Sequence, residues 1–154
     1  MNKSKIELSL IFKGLPKEQQ NLLFSLFEIE EYPTSRIVFN QGEKSSILYI
    51  LRSGKAKVLY KPYDSEEIIL SPLYPGDFFG WSSILGREAH STKVIAEAKS
   101  TSYRIDRHKL YKLLNNMPDA GIMIIECFAE AIVEPFHNTK QFVFSILKKG
   151  LEIG

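Results

Sequence analysis

The residues best placed to do chemistry lie in one segment, Pro75-Gly76-Asp77-Phe78-Phe79-Gly80-Trp81-Ser82-Ser83-Ile84-Leu85-Gly86-Arg87-Glu88-Ala89-His90-Ser91-Thr92-Lys93-Val94. It separates two groups of strand-like runs and is too long for a plain hairpin loop, so a short helix is expected inside it. Gly80 followed by Trp81-Ser82-Ser83 starts such a helix. Free backbone N–H groups at that start, with hydroxyls beside them, make an anion site. The competing reading is an ordinary connection closed by serine caps, and the segment alone favours neither.

Other chemistries find less support. His90, His108 and His137 are too scattered for a metal motif, and His108 between Arg107 and Lys109 reads as a solvated basic face. The single cysteine, Cys127, excludes an internal disulfide framework and a multi-cysteine metal site, and its apolar setting reads as that of a small hydrophobe. No Ser/His/Asp set stands at a glycine-flanked strand-to-helix elbow, so acyl transfer is not indicated. Glu30-Glu31 and Glu66-Glu67 flank turns and are expected to face solvent. The sequence therefore predicts no enzyme, no metal and no firmly assigned cofactor.

The elements that hold the segment follow from periodicity. Apolar positions Ile11, Phe12, Leu15, Leu22, Leu23, Leu26 and Phe27 predict helix between about Ser9 and Phe27, broken at Gly14-Leu15-Pro16. Short runs rich in β-branched, aromatic and leucine residues follow at Ile37–Phe39, Ile47–Leu51, Lys55–Tyr60, Glu67–Leu70, Lys93–Ala96 and Thr101–Ile105, with turn residues between them. That spacing is that of a β-sandwich or barrel. After Asp106 the helical period returns in Leu110, Leu113 and Leu114, and Pro118-Asp119 opens a longer helix. Its carboxylates Glu126, Glu130 and Glu134 form one narrow stripe on an otherwise apolar cylinder, so it must be covered from more than one side. A second copy of the chain is the simplest cover. Pro135 is expected to kink or end this helix, and Lys148-Lys149-Gly150 reads as its C-terminal stop.

Composition bounds the whole. The chain has 154 residues, 20 Lys+Arg against 18 Asp+Glu, and is 44% hydrophobic. This is a single folded domain with almost no net charge, and so without the electrostatics of a nucleic-acid binder. Lys13, Lys17 and Glu18 interrupt any apolar run of signal-peptide length, and the long helix is too short and too acidic to span a bilayer. A cytoplasmic protein, with no membrane association, is expected.

The order of an N-terminal helix, Ile37-Val38-Phe39-Asn40-Gln41-Gly42-Glu43, Leu48 to Val58 with Ser53-Gly54, Pro75-Gly76-Asp77-Phe78-Phe79-Gly80 and Tyr103-Arg104-Ile105-Asp106 resembles the cyclic nucleotide-binding domain. The resemblance is greatest to the sensor half of catabolite-activator-type bacterial regulators and runs from about Leu10 to Leu147. It implies a mainly β fold with flanking helices: an eight-stranded β-roll (double-stranded jelly roll), N-terminal helices and a long C-terminal helix. In one domain of residues 1–154, N-terminal helices occupy about 10–30, the roll 31–106, a phosphate-binding cassette 76–94, and C-terminal helices 107–150. It implies dimerisation through that long helix.

The cassette departs from the family pattern at both of its charged positions. Gly80-Trp81 stands where the family has Gly-Glu, whose carboxylate takes the ribose 2′-hydroxyl. His90-Ser91-Thr92-Lys93 stands where the family has an arginine that pairs with the cyclic phosphate. Histidine does not reproduce arginine's planar fork. Arg87 lies three residues earlier, and no spacing requires it to reach inward. Candidate ligand contacts are Phe79, Gly80, Trp81, Ser82, Ser83, Arg87, His90, Ser91 and Thr92. Trp81 and His90, with Phe78, Phe79 and Phe136, are expected to line a more apolar pocket suited to a small organic or aromatic anion. The alternatives are a cyclic nucleotide held by other contacts, or a filled site in a protein-interaction module. The chain ends at Gly154, just past the long helix, with no helix-turn-helix to enter a DNA groove, so it is expected not to read DNA itself.

Overall fold

The structure, a computed structural model, describes residues 5–84 and 86–133. Helices α1 (Leu8–Ile11) and α2 (Lys17–Phe24) precede strands β1 (Glu28–Tyr32), β2 (Ile37–Phe39), β3 (Ile47–Ser53), β4 (Ala56–Tyr60), β5 (Ile68–Leu73) and β6 (Phe78–Phe79). A single 3-10 turn, Trp81–Ser83, leads to β7 (Lys93–Ala96) and β8 (Ser100–Asp106), followed by helices α3 (Arg107–Asn116) and α4 (Pro118–Val133). The eight strands form two four-stranded sheets, ordered β1-β8-β3-β6 and β2-β7-β4-β5, with every pair antiparallel. This is the β-roll with flanking helices that the resemblance implied. Pro135, Phe136 and His137 lie outside the described residues.

The first sheet is covered on both faces, which is why Leu48, Tyr49, Ile50 and Leu51 of β3 are all buried. Because strand side chains alternate, Leu48 and Ile50 join Phe78, Tyr103 and Ile105 under the helices, with Phe12, Leu23, Leu110, Ile124 and Phe128. Tyr49 and Leu51 turn the other way, meeting Phe39, Ala56, Leu73, Phe79 and Val94 between the sheets, in the lumen of the roll. The two adjacent residues of β6 are thus divided, Phe78 toward the helices and Phe79 toward the lumen.

Strand β1 runs antiparallel to β8, Glu28 facing Arg104 and Tyr32 facing Ser100. At the β3–β4 turn Gly54 has φ +91°, and a Cβ there would overlap the Lys99 carbonyl and Ser100, so only glycine fits. Asp106 caps α3, accepting from the N–H groups of His108 and Lys109 at 2.8 and 3.3 Å. Helix α4 presents Ala120, Gly121, Ile124, Cys127 and Phe128 inward, while Ile122 and Ile125 are 59% and 56% exposed. The cysteine is packed as the small hydrophobe expected of it.

Candidate functional site

The cassette begins where β6 ends. Gly80 adopts φ +81°, and a Cβ there would stand 2.9 Å from the Ile47 carbonyl and 3.0 Å from the Tyr49 ring. That left-handed glycine turns the chain into the Trp81–Ser83 turn predicted from sequence. The Ser83 hydroxyl donates to the Gly80 carbonyl at 2.7 Å, and the Arg87 N–H donates to the Ser82 carbonyl at 3.0 Å. Ser82 and Ser83 are both buried. The serine caps of the plainer reading are absent: no side chain caps the turn, and Ser83 instead bonds back to the Gly80 carbonyl.

The returning segment is stitched to the loop before β3. His90 donates its N–H to the Glu43 carbonyl and accepts from the Gly42 N–H, both at 2.8 Å, and the Glu88 carbonyl accepts from the Ser45 N–H at 2.9 Å. His90 is 5% exposed, its ring stacked on Phe39 with centroids 3.7 Å apart and planes 10° from parallel. Phe39 in turn touches Tyr49 and Phe79, whose rings stack at 5.0 Å, so four rings line this part of the lumen. Burial lowers the imidazole pKa, leaving His90 neutral near pH 7. Arg87 and Ser91 are exposed and Thr92 is half-buried.

Trp81 goes elsewhere. Its indole stacks on Phe78 with centroids 5.6 Å apart and packs against the helix-side core. The single aromatic pocket expected from sequence is therefore corrected: Trp81 and Phe78 lie on the helix side of the first sheet, His90 and Phe79 on the lumen side. The cause is the two-residue alternation of β6, which sends neighbouring rings to opposite faces.

Sequence reasoning missed the lumen's guanidinium. Arg104 lies opposite Tyr49 across β3 and β8, its Nε 3.5 Å from Glu30 and its Nη1 3.6 Å from Glu28. Glu30, expected in solvent, is half-buried because β1 carries it beside this cation. Tyr49 has its phenol pushed up to about 12 by burial first, with Arg104 opposing and Glu30 and Glu43 adding to the rise. The period-2 placement of Glu28, Glu30, Ser102 and Arg104 was the available signal. Among the described residues no three His, Cys, Asp or Glu side chains cluster as metal ligands, and no helix is long and apolar enough to cross a membrane.

Two sheets closed into a roll, with a glycine-initiated turn leading back through a stitched segment, find a direct match. The family model of the cyclic nucleotide-binding domain covers residues 29–117, more than half of the chain. The chain belongs to this family. It is 29% identical over 110 residues to the cyclic AMP receptor protein of Thermus thermophilus, covering 71% of this chain and 51% of that protein. It is 31% identical over 131 residues to the cGMP-dependent protein kinase of Toxoplasma gondii, covering 85% of this chain but 12% of the kinase. The fold matches the crystal structure of a cyclic nucleotide-binding domain from Methylobacillus flagellatus with TM-score 0.77 at 17% identity, covering 90% and 80% of the two chains. The chain thus spans about half the length of the receptor protein and an eighth of the kinase.

The two residues that the resemblance sets at the charged cassette positions both sit in aromatic packing. Trp81 faces the helices, and His90 is neutral and stacked. His90 also carries a pH signature. A histidine whose folded pKa lies below its unfolded value near 6.5 binds more protons when unfolded, so stability is full above that pH and falls as pH drops through it. Urea midpoints measured from pH 8 to pH 5 are expected to fall below about pH 6.5, and His90→Phe, which keeps the stack on Phe39, is expected to flatten that decline. An unchanged slope in the variant would assign the decline to other groups.

Proposed function

We propose that the chain is a non-enzymatic sensor or regulatory domain of the cyclic nucleotide-binding type, with a cassette altered so that the usual phosphate contacts are not made. One observation carries the reading. Trp81 and His90, which the resemblance sets at the cassette's two charged positions, are both turned into packing, one on each side of the first sheet. The candidate contact set remains Phe79, Gly80, Ser82, Ser83, Arg87, His90, Ser91 and Thr92, with Trp81 acting from the helix side. The ligand proposed is a small organic or aromatic molecule. Arg104 is a fixed cation on the lumen face, and Glu28 and Glu30 already engage it.

Output is proposed to run through a dimer formed by α4. Ile122, Ile125 and Ala129 are exposed, and Ile132 continues their spacing of three and four in the sequence, which is the seam of a two-helix coil. Such signalling requires a ligand that binds one helix position better than another. Direct DNA reading by this chain is not part of the proposal, and a cytoplasmic location is. A second reading, a ligand-free protein-interaction module, is favoured by the ring stack that already occupies part of the lumen.

Melting temperatures with cyclic AMP, cyclic GMP and a panel of small aromatic acids separate the readings. Saturation at about 100 times the dissociation constant adds about 2.7 kcal/mol, a shift of several degrees. The expected result is no shift with either cyclic nucleotide and a shift with at least one aromatic acid. A cyclic-nucleotide shift would instead establish that ligand held by other contacts, and no shift with any compound would favour the filled module.

A further inference from the structure

The carbonyls of the Trp81–Ser83 turn accept from the N–H groups of Ile84, Arg87 and Gly86 at 3.1, 3.0 and 3.4 Å, so the turn is closed within the cassette. Helix α3 adds side-chain donors to these and neighbouring carbonyls from outside. Arg107, its first residue, donates through Nη1 to the Ser83 carbonyl at 3.1 Å and to the Arg87 carbonyl at 3.5 Å. One helical turn later the Tyr111 hydroxyl donates to the Ile84 carbonyl at 2.6 Å. The Arg107 backbone N–H donates to the Ser46 carbonyl at 2.9 Å, tying in the loop that holds the other end of the cassette.

Two features set these bonds apart from ordinary surface contacts. Arg104 answers carboxylates, whereas Arg107 has no carboxylate within 4.0 Å among the described residues, so its donors are free for the cassette's backbone. The bonds also run alongside an apolar seam: Trp81 and Ile84 pack into the core that contains Leu110, Ile124 and Phe128 of α3 and α4. Helix α3 is itself set close to α4, where a Cβ on Gly121 would stand 3.0 Å from the Leu114 carbonyl.

From this geometry we propose that Arg107 and Tyr111 are positioning residues that make the cassette turn and α3 move as one body. The proposal rests on reading the cassette as the sensing element, and names the side chains that carry its position to the helices. Apolar packing alone tolerates sliding, whereas directional bonds to particular carbonyls fix where α3 lies along the turn. Coupling of this kind is reciprocal: loosening the turn loosens α3 only while the bonds are present.

The test is a double-mutant cycle read by amide hydrogen exchange and needs neither ligand nor dimer. Ser83→Ala loosens the turn by removing the hydroxyl's bond to the Gly80 carbonyl, and leaves in place the Ser83 carbonyl that Arg107 engages. In the otherwise wild-type chain it is expected to speed exchange in residues 107–116 about tenfold. In the Arg107→Gln, Tyr111→Phe background the same change is expected to add less than about twofold. Arg107→Lys, which keeps a charged donor, is expected to retain part of the coupling. If the double variant does not fold, Tyr111→Phe alone serves as the uncoupled background. A Ser83→Ala effect confined to the cassette, or equal in both backgrounds, would overturn the proposal. Failure of the sensor reading shows separately, as absence of any ligand-induced melting shift.

Discussion

Phe12→Ala is expected to lower the free energy of unfolding by about 3–5 kcal/mol, the largest stability loss from one substitution in this chain. Phe12 is fully buried just past the end of α1. Its ring meets those of Phe24, Phe27, Phe78 and Phe128 at 6.0, 6.1, 6.2 and 5.0 Å. These four come from α2, the link to β1, β6 and α4, so removing the ring opens a cavity that four elements would have to move to fill. For a domain with total stability of about 5–15 kcal/mol, that loss takes the variant close to unfolding near body temperature. Leu10→Ala is the control: Leu10 lies within α1, just before Phe12 in the chain, but is 61% exposed, and its loss is expected to stay within about 0.5 kcal/mol. Denaturant titration of both variants decides it. A Phe12→Ala loss below about 1.5 kcal/mol would mean that α1 does not clamp the helix-side core.

The same ring bears on the site, because Phe78, which it meets, is also the ring on which Trp81 stacks, and Phe78 meets Phe128 in turn. Here the sequence was only half legible. Runs at Ile37–Phe39 and Lys93–Ala96 were visible at their observed bounds, since β-branched and aromatic residues stood between clear turns. Strand β1 was not visible. Glu28-Ile29-Glu30-Glu31-Tyr32 has three carboxylates in five residues, and what makes it a strand is remote: Arg104 for Glu28 and Glu30, and Ser102, whose hydroxyl bonds the Tyr32 hydroxyl at 2.7 Å across 70 positions. Local propensity carries no trace of partners so far away in the chain. Strand β6 escaped for the opposite reason, being two residues long.

The cassette shows the same division. That a turn would start at Gly80-Trp81 was readable from residue types, because the backbone there demands glycine, and the Ser83 hydroxyl ties the turn back to the Gly80 carbonyl. Which way the rings point was not readable from types alone. Pooling Phe78, Phe79, Trp81 and His90 as one wall overlooked the alternation that puts Phe78 and Phe79 on opposite faces of a sheet buried on both sides. Arg107, expected on a solvated basic face, and Tyr111 lie outside the cassette in sequence, and only the fold brings them to its carbonyls.

Replacing Ile122 and Ile125 together by glutamate is expected to weaken self-association at least 100-fold, leaving a monomer at micromolar concentration. Both side chains are more than half exposed, on a helix whose opposite face is already committed to Phe12, Phe78 and the rest of the helix-side core. Leaving two isoleucines in water forgoes about 1.5–3 kcal/mol for each, which a partner helix recovers. Their spacing, continued by Ala129 and Ile132, repeats every three and four residues, as knobs meeting holes require. Four carboxylates at the centre of such a seam, two from each copy, would each lose hydration and face like charges. Because Glu126 and Glu130 are exposed already, two more carboxylates on this face leave the monomer soluble and folded. Sedimentation equilibrium gives the association constant, and the melting temperature of the dilute monomer guards against unfolding as the cause. A wild-type chain that is monomeric at micromolar concentration, or a variant that still dimerises, would place the cover of α4 elsewhere. If the seam is broken and ligand-induced stabilisation survives, sensing resides in the roll and the dimer serves output alone. If both are lost together, the cassette needs the partner helix to hold its ligand.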